Sequence, residues 1–125
     1  MVKEINTNKA PAAIGPYSQA IQAGDFIYSS GQLGFDPSNG ELVEGIEKQT
    51  HQALKNLKTI LEEANTDFSK IVKVTVYLSS MENFEAVNEI YSSYFEKPYP
   101  ARTAFEVGRL PKDALIELEA VVYLG

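Results

Sequence analysis

Residues 100–119 constrain the fold of this chain more than any other stretch, because they combine strand-like segments with a turn. From residue 115 to 124, apolar residues alternate with a second set, which is typical of a strand with one buried face. The apolar set is Ile116, Leu118, Ala120, Val122 and Leu124. Residues 102–107 predict a preceding strand, and residues 108–111, which contain glycine and proline, predict a turn. We therefore expect a β-hairpin here.

The predicted hairpin carries one arginine and two glutamates, and side-chain alternation decides which of them share a face. Because the helices need an apolar floor, we expect Phe105 to lie on the apolar face of the second strand. Arg102 then falls on the opposite face, together with Glu117 and Glu119. This parity predicts a carboxylate-binding arginine beside two carboxylates that can act as acids or bases.

The register of the hairpin follows from the position of its turn. A turn centred at residues 110–111 places Arg102 opposite Glu119 and Ala104 opposite Glu117. Glu117 is then a diagonal neighbour of Arg102, at roughly 7–8 Å between backbones and within reach of long side chains. The same face is half apolar, so we expect a second surface to cover it. Self-association supplies such a surface and places sites at subunit boundaries.

Two helices and three further strands are predicted elsewhere. Residues 46–64 and 82–95 place apolar side chains at helical spacing on one face. Residues 71–78 alternate as a half-buried strand does. The apolar face of that strand is predicted to carry Val72, Val74, Val76 and Leu78. Residues 17–22 and 26–29 predict a hairpin around a Gly-Asp turn.

The order of these elements predicts an α+β fold, with both amphipathic helices packed on one face of a mostly antiparallel sheet. The length of 125 residues corresponds to a single domain, which we expect to span residues 1–125. Residues 1–15 are polar and contain an Ala-Pro-Ala-Ala segment, so irregular, extended chain is expected there. The apolar stripe of the second helix is predicted to be Phe84, Val87, Tyr91, Tyr94 and Phe95.

Charge and cysteine content disfavour several classes of function. The net charge is −6, and an acidic surface repels nucleic-acid phosphates. The chain has no cysteine, which excludes disulfides, thiolate catalysis and cysteine-bound metals. The segment Met1–Ala10 lacks the apolar region of a signal peptide, and no apolar run is long enough to span a bilayer. We expect a cytoplasmic protein without nucleic-acid or membrane partners.

Three blocks of sequence resemble the RidA (YjgF) family of reactive-intermediate 2-imino acid deaminases. They are residues 15–20 (GPYSQA), residues 30–32 (SGQ) and, most specifically, residues 101–119, with Ala-Arg-Thr, Arg-Leu-Pro-Lys and Ile-Glu-Leu-Glu. The resemblance extends over essentially the whole chain, in order and without large gaps. It implies a chorismate-mutase-like α+β fold that assembles as a trimeric barrel, with active sites in clefts between subunits.

The resemblance also implies a reaction and its residues. The reaction is hydrolysis of 2-iminobutanoate and 2-iminopropanoate, or their enamine tautomers, to 2-oxo acids and ammonia, without a metal or organic cofactor. Arg102 is implied to bind the substrate carboxylate, and Glu117 to position or activate water. The residues implied to line the pocket or to hold water are Tyr17, Ser30, Gly31 and Asn88. Ala104 stands where many members carry cysteine; the contact there is attributed to the backbone, so deamination is expected to survive.

The residues by themselves also have structural interpretations. Arg102 with Glu117 or Glu119 is typical of a buried structural ion pair, and a tyrosine such as Tyr17 is more often a packing residue. Asn88 lies away from the apolar stripe of its helix, which is typical of a solvated surface residue. With the resemblance, the functional interpretation of Arg102 and Glu117 is favoured, and Glu119 is interpreted as structural.

Three other functions compete with imine deamination: a regulator that binds 2-oxo acids, a translation-inhibiting ribonuclease-like protein and a holdase. The single histidine, His51, has no partners at metal-ligand spacing and is expected to be at the surface or partly packed, not a metal ligand or a base. That isolation and the acidic balance disfavour RNA cleavage. Arg109, in the predicted turn, is expected to be an interface or solvent residue.

Overall fold

The computed structural model describes residues 2–125, which form seven β-strands and two α-helices. The strands are β1 (Val2–Ile5), β2 (Ala20–Ala23), β3 (Phe26–Ser29), β4 (Gln32–Leu33), β5 (Ile71–Leu78), β6 (Ala101–Glu106) and β7 (Ile116–Tyr123), and the helices are α1 (Ile46–Glu63) and α2 (Phe84–Ser92). The α+β prediction is confirmed, but β1 and β4 were not predicted, and β1 lies in the segment expected to be irregular. Met1, which begins that segment and the predicted domain, lies outside the described residues.

The strands form one mixed sheet in the order β1-β2-β3-β7-β5-β6, and β4 also pairs with β7. The hairpin predicted for residues 102–124 is wrong, because β5 lies between β6 and β7. β5 and β6 run parallel, since α2 connects them as a crossover, whereas β7 pairs antiparallel with β5. The segment expected to be a tight turn instead carries a short 3-10 turn at Pro111–Asp113.

The apolar face of β7 lies in the core as predicted. Its buried residues are Ile116, Leu118, Ala120 and Val122. The predicted face of β5 is confirmed except at one position: the register with β7 shifts between Ile71 and Lys73, and Val72 in this bulge is 42% exposed. Ile71 is buried in its place. The sheet therefore has an apolar, helix-covered face and an opposite face, here called the open face.

Strand β6 reverses the predicted parity. Arg102 pairs with Val74 of β5, which pairs with Ala120 of β7, so Arg102 is on the helix-covered face. Glu117 pairs with Tyr77, whose neighbour on β6 is Phe105. Arg102 and Glu117 therefore lie on opposite faces, and the prediction that they share one is wrong.

The prediction failed because it assigned Phe105 to the core. Phe105 is 44% exposed and packs edge-to-face against Tyr77, with ring centroids 5.4 Å apart. As an edge strand, β6 presents Arg102 and Ala104 to the helices, and both are only half-buried. An edge strand needs no bulky apolar side chain for the core, so its composition did not indicate which face is inward.

Helix α1 buries the face that its periodicity predicts, and Asn65 ends it in the left-handed conformation (φ 58°). Two polar residues on its buried side were not predicted to be there. The Gln49 side chain accepts a hydrogen bond from the Leu115 amide (2.8 Å). Asn56 donates to the carbonyls of Leu33 and Phe35 (3.0 and 2.9 Å). These bonds tie α1 to the chain beside β4 and β7.

Helix α2 is shorter than the predicted 82–95, because a 3-10 turn at Met81–Asn83 precedes it and regular helix ends at Ser92. Val87, Tyr91 and Phe95 of its predicted stripe are buried, and all three belong to the same core as α1 and the sheet. Neither helix in residues 2–125 combines the length and apolar character needed to cross a membrane.

Candidate functional site

The sequence-predicted site residues fall into two groups. The helix-side group consists of Arg102, Ala104 and Asn88, and the open-side group consists of Tyr17, Ser30, Gly31 and Glu117. A single chain keeps the two groups on opposite faces of its sheet, so they do not form one pocket within it. Each group nevertheless brings together residues that are far apart in the sequence.

The helix-side group centres on the Arg102 guanidinium. Its Nη1 donates a hydrogen bond of 2.7 Å to Oδ1 of Asn88. Asn88 is half-buried, so the interpretation of this residue as solvated surface is wrong. Ala104 lies two residues further along β6 on the same face. The group thus presents an oriented cation beside the backbone of an edge strand.

The open-side group centres on the Glu117 carboxylate, which is half-buried on β7 between Leu33 of β4 and Tyr77 of β5. It lies directly on the backbone of Gly31: a Cβ atom at position 31 would overlap the carboxylate oxygen and lie 2.7 Å from Cδ. Only glycine allows this approach.

Burial, and secondarily the charge of Glu119, raises the pKa of Glu117 above its usual range. Both effects favour the protonated form of this carboxyl. A carboxyl with a raised pKa can exchange protons with a bound water more readily near neutral pH than an ordinary surface carboxylate. The open-side group therefore carries a group suited to acid–base chemistry.

Ser30 is held by a hydrogen-bond network around Gln19 that sequence reasoning did not identify. Ser30 donates its hydroxyl to the Ser18 carbonyl (2.5 Å) and its amide to the Gln19 carbonyl (2.9 Å). The buried Gln19 side chain accepts from the Thr7 amide (2.7 Å) and donates to two carbonyls, those of residues 7 and 11. A buried glutamine requires such partners, but sequence alone does not indicate its burial. Tyr17 remains 53% exposed.

A cavity of 460 Å³ adjoins the open-side group. Its lining includes Tyr17 and Gly31 together with the apolar side chains of Pro11, Ile14, Leu33 and Phe35. Four other cavities, of 330, 420, 450 and 210 Å³, lie elsewhere on the described surface, and none of the predicted site residues lines them. We associate this cavity with the site because two of the predicted site residues, Tyr17 and Gly31, line it.

Other residues considered in the sequence lie apart from both groups. His51 is exposed on α1, and its Nδ1 is 2.8 Å from the Tyr94 hydroxyl, which confirms its surface position. Arg109 forms an ion pair with Asp113 at 3.0 Å, and both side chains are largely exposed. Glu119 lies on the open face opposite Thr75. Residues 2–125 contain no cluster of three or more His, Asp or Glu side chains arranged to hold a metal ion.

Comparisons with known proteins give consistent similarities. A family model described as Endoribonuclease L-PSP matches residues 7–124. A RutC family protein of Pyrococcus abyssi is 54% identical over 125 residues, which cover 98% of each chain. The 2-iminobutanoate/2-iminopropanoate deaminase of Mus musculus is 52% identical over 124 residues, 98% of this chain and 92% of the mouse protein. The crystal structure of RidA from an Antarctic Psychrobacter has a TM-score of 0.94 at 44% identity, covering 97% of this chain and 98% of that one.

Proposed function

The chain belongs to the Endoribonuclease L-PSP family, which includes RidA, and we propose that it hydrolyses 2-iminobutanoate and 2-iminopropanoate to 2-oxo acids and ammonia. The family resemblance read from the sequence is confirmed. The observation that carries the proposal is the pair of chemically complementary groups. One holds an oriented guanidinium, and the other a half-buried carboxyl with a raised pKa.

In this proposal the two groups meet between subunits of a chorismate-mutase-like homotrimer. The helix-side group of one subunit faces the open-side group of its neighbour. The open face supports self-association because it exposes large aromatic side chains. These are Phe26, Tyr28, Phe105 and Tyr123, between 38% and 51% exposed. An apolar surface of this kind is typical of a protein–protein interface.

Arg102 binds the substrate carboxylate. A guanidinium offers parallel donors that match a planar carboxylate, and it stays charged at any physiological pH. Asn88 occupies one donor of Nη1, and the remaining N–H groups are available to the ligand. Because the carboxylate is bonded directly to the imine carbon, fixing it also fixes the carbon that water must attack. The backbone beside Ala104 completes this wall of the pocket.

Glu117 moves the protons. It accepts one from a water whose oxygen forms a bond to the carbon of the protonated imine, giving a neutral carbinolamine. Glu117 then returns that proton to the nitrogen, and the C–N bond breaks with its electron pair leaving on ammonia. The oxygen lone pair forms the C=O bond, and the hydroxyl proton passes through the Glu117 carboxylate to the departing ammonia. The net products are a 2-oxo acid and ammonium. Tyr17 and Ser30 hold the water, and the absence of a side chain at Gly31 leaves room for the carboxyl.

A coupled assay tests the reaction. A threonine dehydratase generates 2-iminobutanoate in situ, and release of 2-oxobutanoate is followed with and without this protein. We expect acceleration at catalytic concentrations and its loss in Arg102→Ala, with Arg109→Ala, which removes an exposed arginine, as the matched control. No acceleration by the wild type at stoichiometric concentration contradicts the enzyme. Full acceleration by Arg102→Ala contradicts the residue assignment alone.

A mixing experiment tests whether the site is shared. Arg102→Ala and Glu117→Gln are each expected to be inactive as pure proteins. After unfolding and refolding together, random assembly around a ring pairs intact Arg102 with intact Glu117 at about a quarter of the sites. We expect a corresponding recovery of activity. A site contained within one subunit predicts no recovery.

A regulator that binds 2-oxo acids is the alternative that uses the same arginine. It predicts saturable binding of 2-oxobutanoate that requires Arg102, without acceleration in the coupled assay. A ribonuclease-like function is named in the description of the family model, but the net charge of −6 and the contact of His51 with Tyr94 do not favour it.

A further inference from the structure

Helix α2 presents three side chains to the Arg102 guanidinium from one side. Phe84, Asn88 and Tyr91 are four and three residues apart, so they form a continuous stripe on the helix surface. The Arg102 Cζ atom is 4.8 Å from the centroid of the Tyr91 ring and 5.5 Å from that of Phe84. Both distances are within the range of cation–π attraction. Asn88 adds a hydrogen bond between these two aromatic contacts.

Tyr91 is the member of this stripe whose structural features need explanation. It is 6% exposed, and its hydroxyl lacks a hydrogen-bond partner among residues 2–125. Burial raises its pKa to about 12, so the hydroxyl keeps its proton. A buried hydroxyl without a hydrogen-bond partner lowers stability, because its lost hydration is not replaced. The contacts that the residue does make use its ring, stacked on Phe95 at 4.4 Å on the core side and approached by Arg102.

We propose that Phe84, Asn88 and Tyr91 form a clamp that fixes the plane of the Arg102 guanidinium, and that Phe84 and Tyr91 are positioning residues for carboxylate binding. The two rings restrict where the guanidinium carbon lies, and the Asn88 carbonyl restricts rotation about it. The donors that Asn88 leaves free then point in one direction before the substrate arrives. The clamp deepens the proposed function, on which its kinetic consequence rests.

Kinetic comparison of two substitutions tests the clamp. Tyr91→Leu removes the ring face, and we expect KM for the imine to rise about tenfold with a smaller change in kcat. Tyr91→Phe keeps the face and is expected to restore most of the lost affinity. Phe84→Leu, at the longer distance, has a smaller effect than Tyr91→Leu. Tyr94→Leu removes an aromatic ring that contacts Phe68 and His51 instead, and it is the matched control.

Nitrogen-15 NMR of the folded protein tests whether the rings lie against the Arg102 guanidinium, and it does not require catalytic turnover. Ring currents from Tyr91 and Phe84 shift the guanidinium proton signals of Arg102. We expect that shift to be reduced in Tyr91→Leu and retained in Tyr91→Phe and Tyr94→Leu. This measurement shows whether the clamp exists even if the wild type has no deaminase activity. Failure of the proposed function and failure of the clamp are therefore distinguishable.

Two outcomes overturn the clamp. The first is a folded Tyr91→Leu protein with wild-type KM and unchanged Arg102 signals. The second is a Tyr91→Phe protein as impaired as Tyr91→Leu, which assigns the role to the hydroxyl rather than to the ring. If Tyr91→Leu does not fold, Phe84→Leu and Tyr91→Phe provide the same two readouts.

Discussion

The helix-side and open-side groups differ in what holds their side chains in place. Arg102 stands on a strand and is contacted by side chains of a helix, so regular secondary structure orients it. Tyr17, Ser30 and Gly31 lie on irregular chain. The backbone carbonyl of the buried Gln19 accepts from the Ser30 amide, and its side chain hydrogen-bonds to residues 7 and 11. Under the proposed function, this difference predicts that the side that binds the carboxylate is preorganised, whereas the side that transfers protons depends on the packing of loops.

Arg102→Lys tests the helix-side group and has the largest expected effect on activity. Lysine keeps the charge but cannot make the planar, paired contacts, either to Asn88 or to a carboxylate. We expect kcat/KM to fall roughly tenfold to a hundredfold, from loss of about 1.5–3 kcal/mol of charged hydrogen bonding. The melting temperature should change little. Steady-state kinetics and thermal unfolding, with Arg109→Lys as control, check this. A variant that loses stability but not activity indicates a purely structural arginine.

Gly31→Ala tests the open side next. The new Cβ displaces the Glu117 carboxyl, so we expect kcat/KM to fall about tenfold. The free energy of unfolding should change much less, because the end of the half-buried Glu117 side chain can move aside. Gly108→Ala is the matched control, because no atom lies within 4 Å of the added Cβ there. Equal behaviour of the two variants means that the approach of Glu117 to Gly31 is unimportant.

Gln19→Leu separates loop packing from chemistry. The substitution leaves the amide of Thr7 and the carbonyls of Thr7 and Pro11 without their partner, and we expect a loss of about 2–3 kcal/mol in the free energy of unfolding. Gln22→Leu removes one exposed bond, to the Gly24 carbonyl at 3.2 Å, and serves as control. Urea titration of both proteins measures the difference. Identical unfolding midpoints would contradict the inference that the Gln19 side chain stabilises the segment of residues 7–11.

Glu119→Gln has the smallest expected effect and acts through pH. In the proposed mechanism Glu117 acts as a base when it is deprotonated. Because its pKa is raised, we expect the rate to increase as pH rises through a midpoint above the usual carboxyl range. Removing the Glu119 charge lowers that pKa, and the acid limb of kcat/KM moves to lower pH. Because burial remains, the midpoint stays above that of an ordinary glutamate. Glu85→Gln, an exposed change on α2, should leave the profile unmoved.

The same pKa has a consequence for stability. Because the pKa of Glu117 is raised in the folded state, the folded protein binds a proton at Glu117 more tightly than the unfolded chain does. This contribution is present at low pH and is lost as pH rises through the folded-state pKa. Glu117→Gln removes it, so the variant should show a weaker pH dependence of unfolding across that window. Denaturant titrations over the acid range measure it.

Local periodicity predicted the elements that have one strongly apolar face. The buried face of α1 and the buried side of β7 follow from it, whereas the hairpin of β2 and β3 was predicted from its Gly-Asp turn. The same reasoning failed for β6. The face with Arg102, Ala104 and Glu106 looks like an exposed face, yet Arg102 and Ala104 lie half-buried toward the helices because β6 is an edge strand. Nothing in the alternation of Thr103 and Phe105 shows that their face is the open one.

The sequence alone determined the family, the residue types available for chemistry, the two amphipathic helices and the buried face of β7. Only the tertiary structure decided that β5 separates β6 from β7, and therefore that Arg102 and Glu117 lie on opposite faces. The reason is that alternation fixes which residues of one strand share a face, but not which strand lies beside it. That choice comes from long-range packing of α2 and the core, which joins residues distant in sequence.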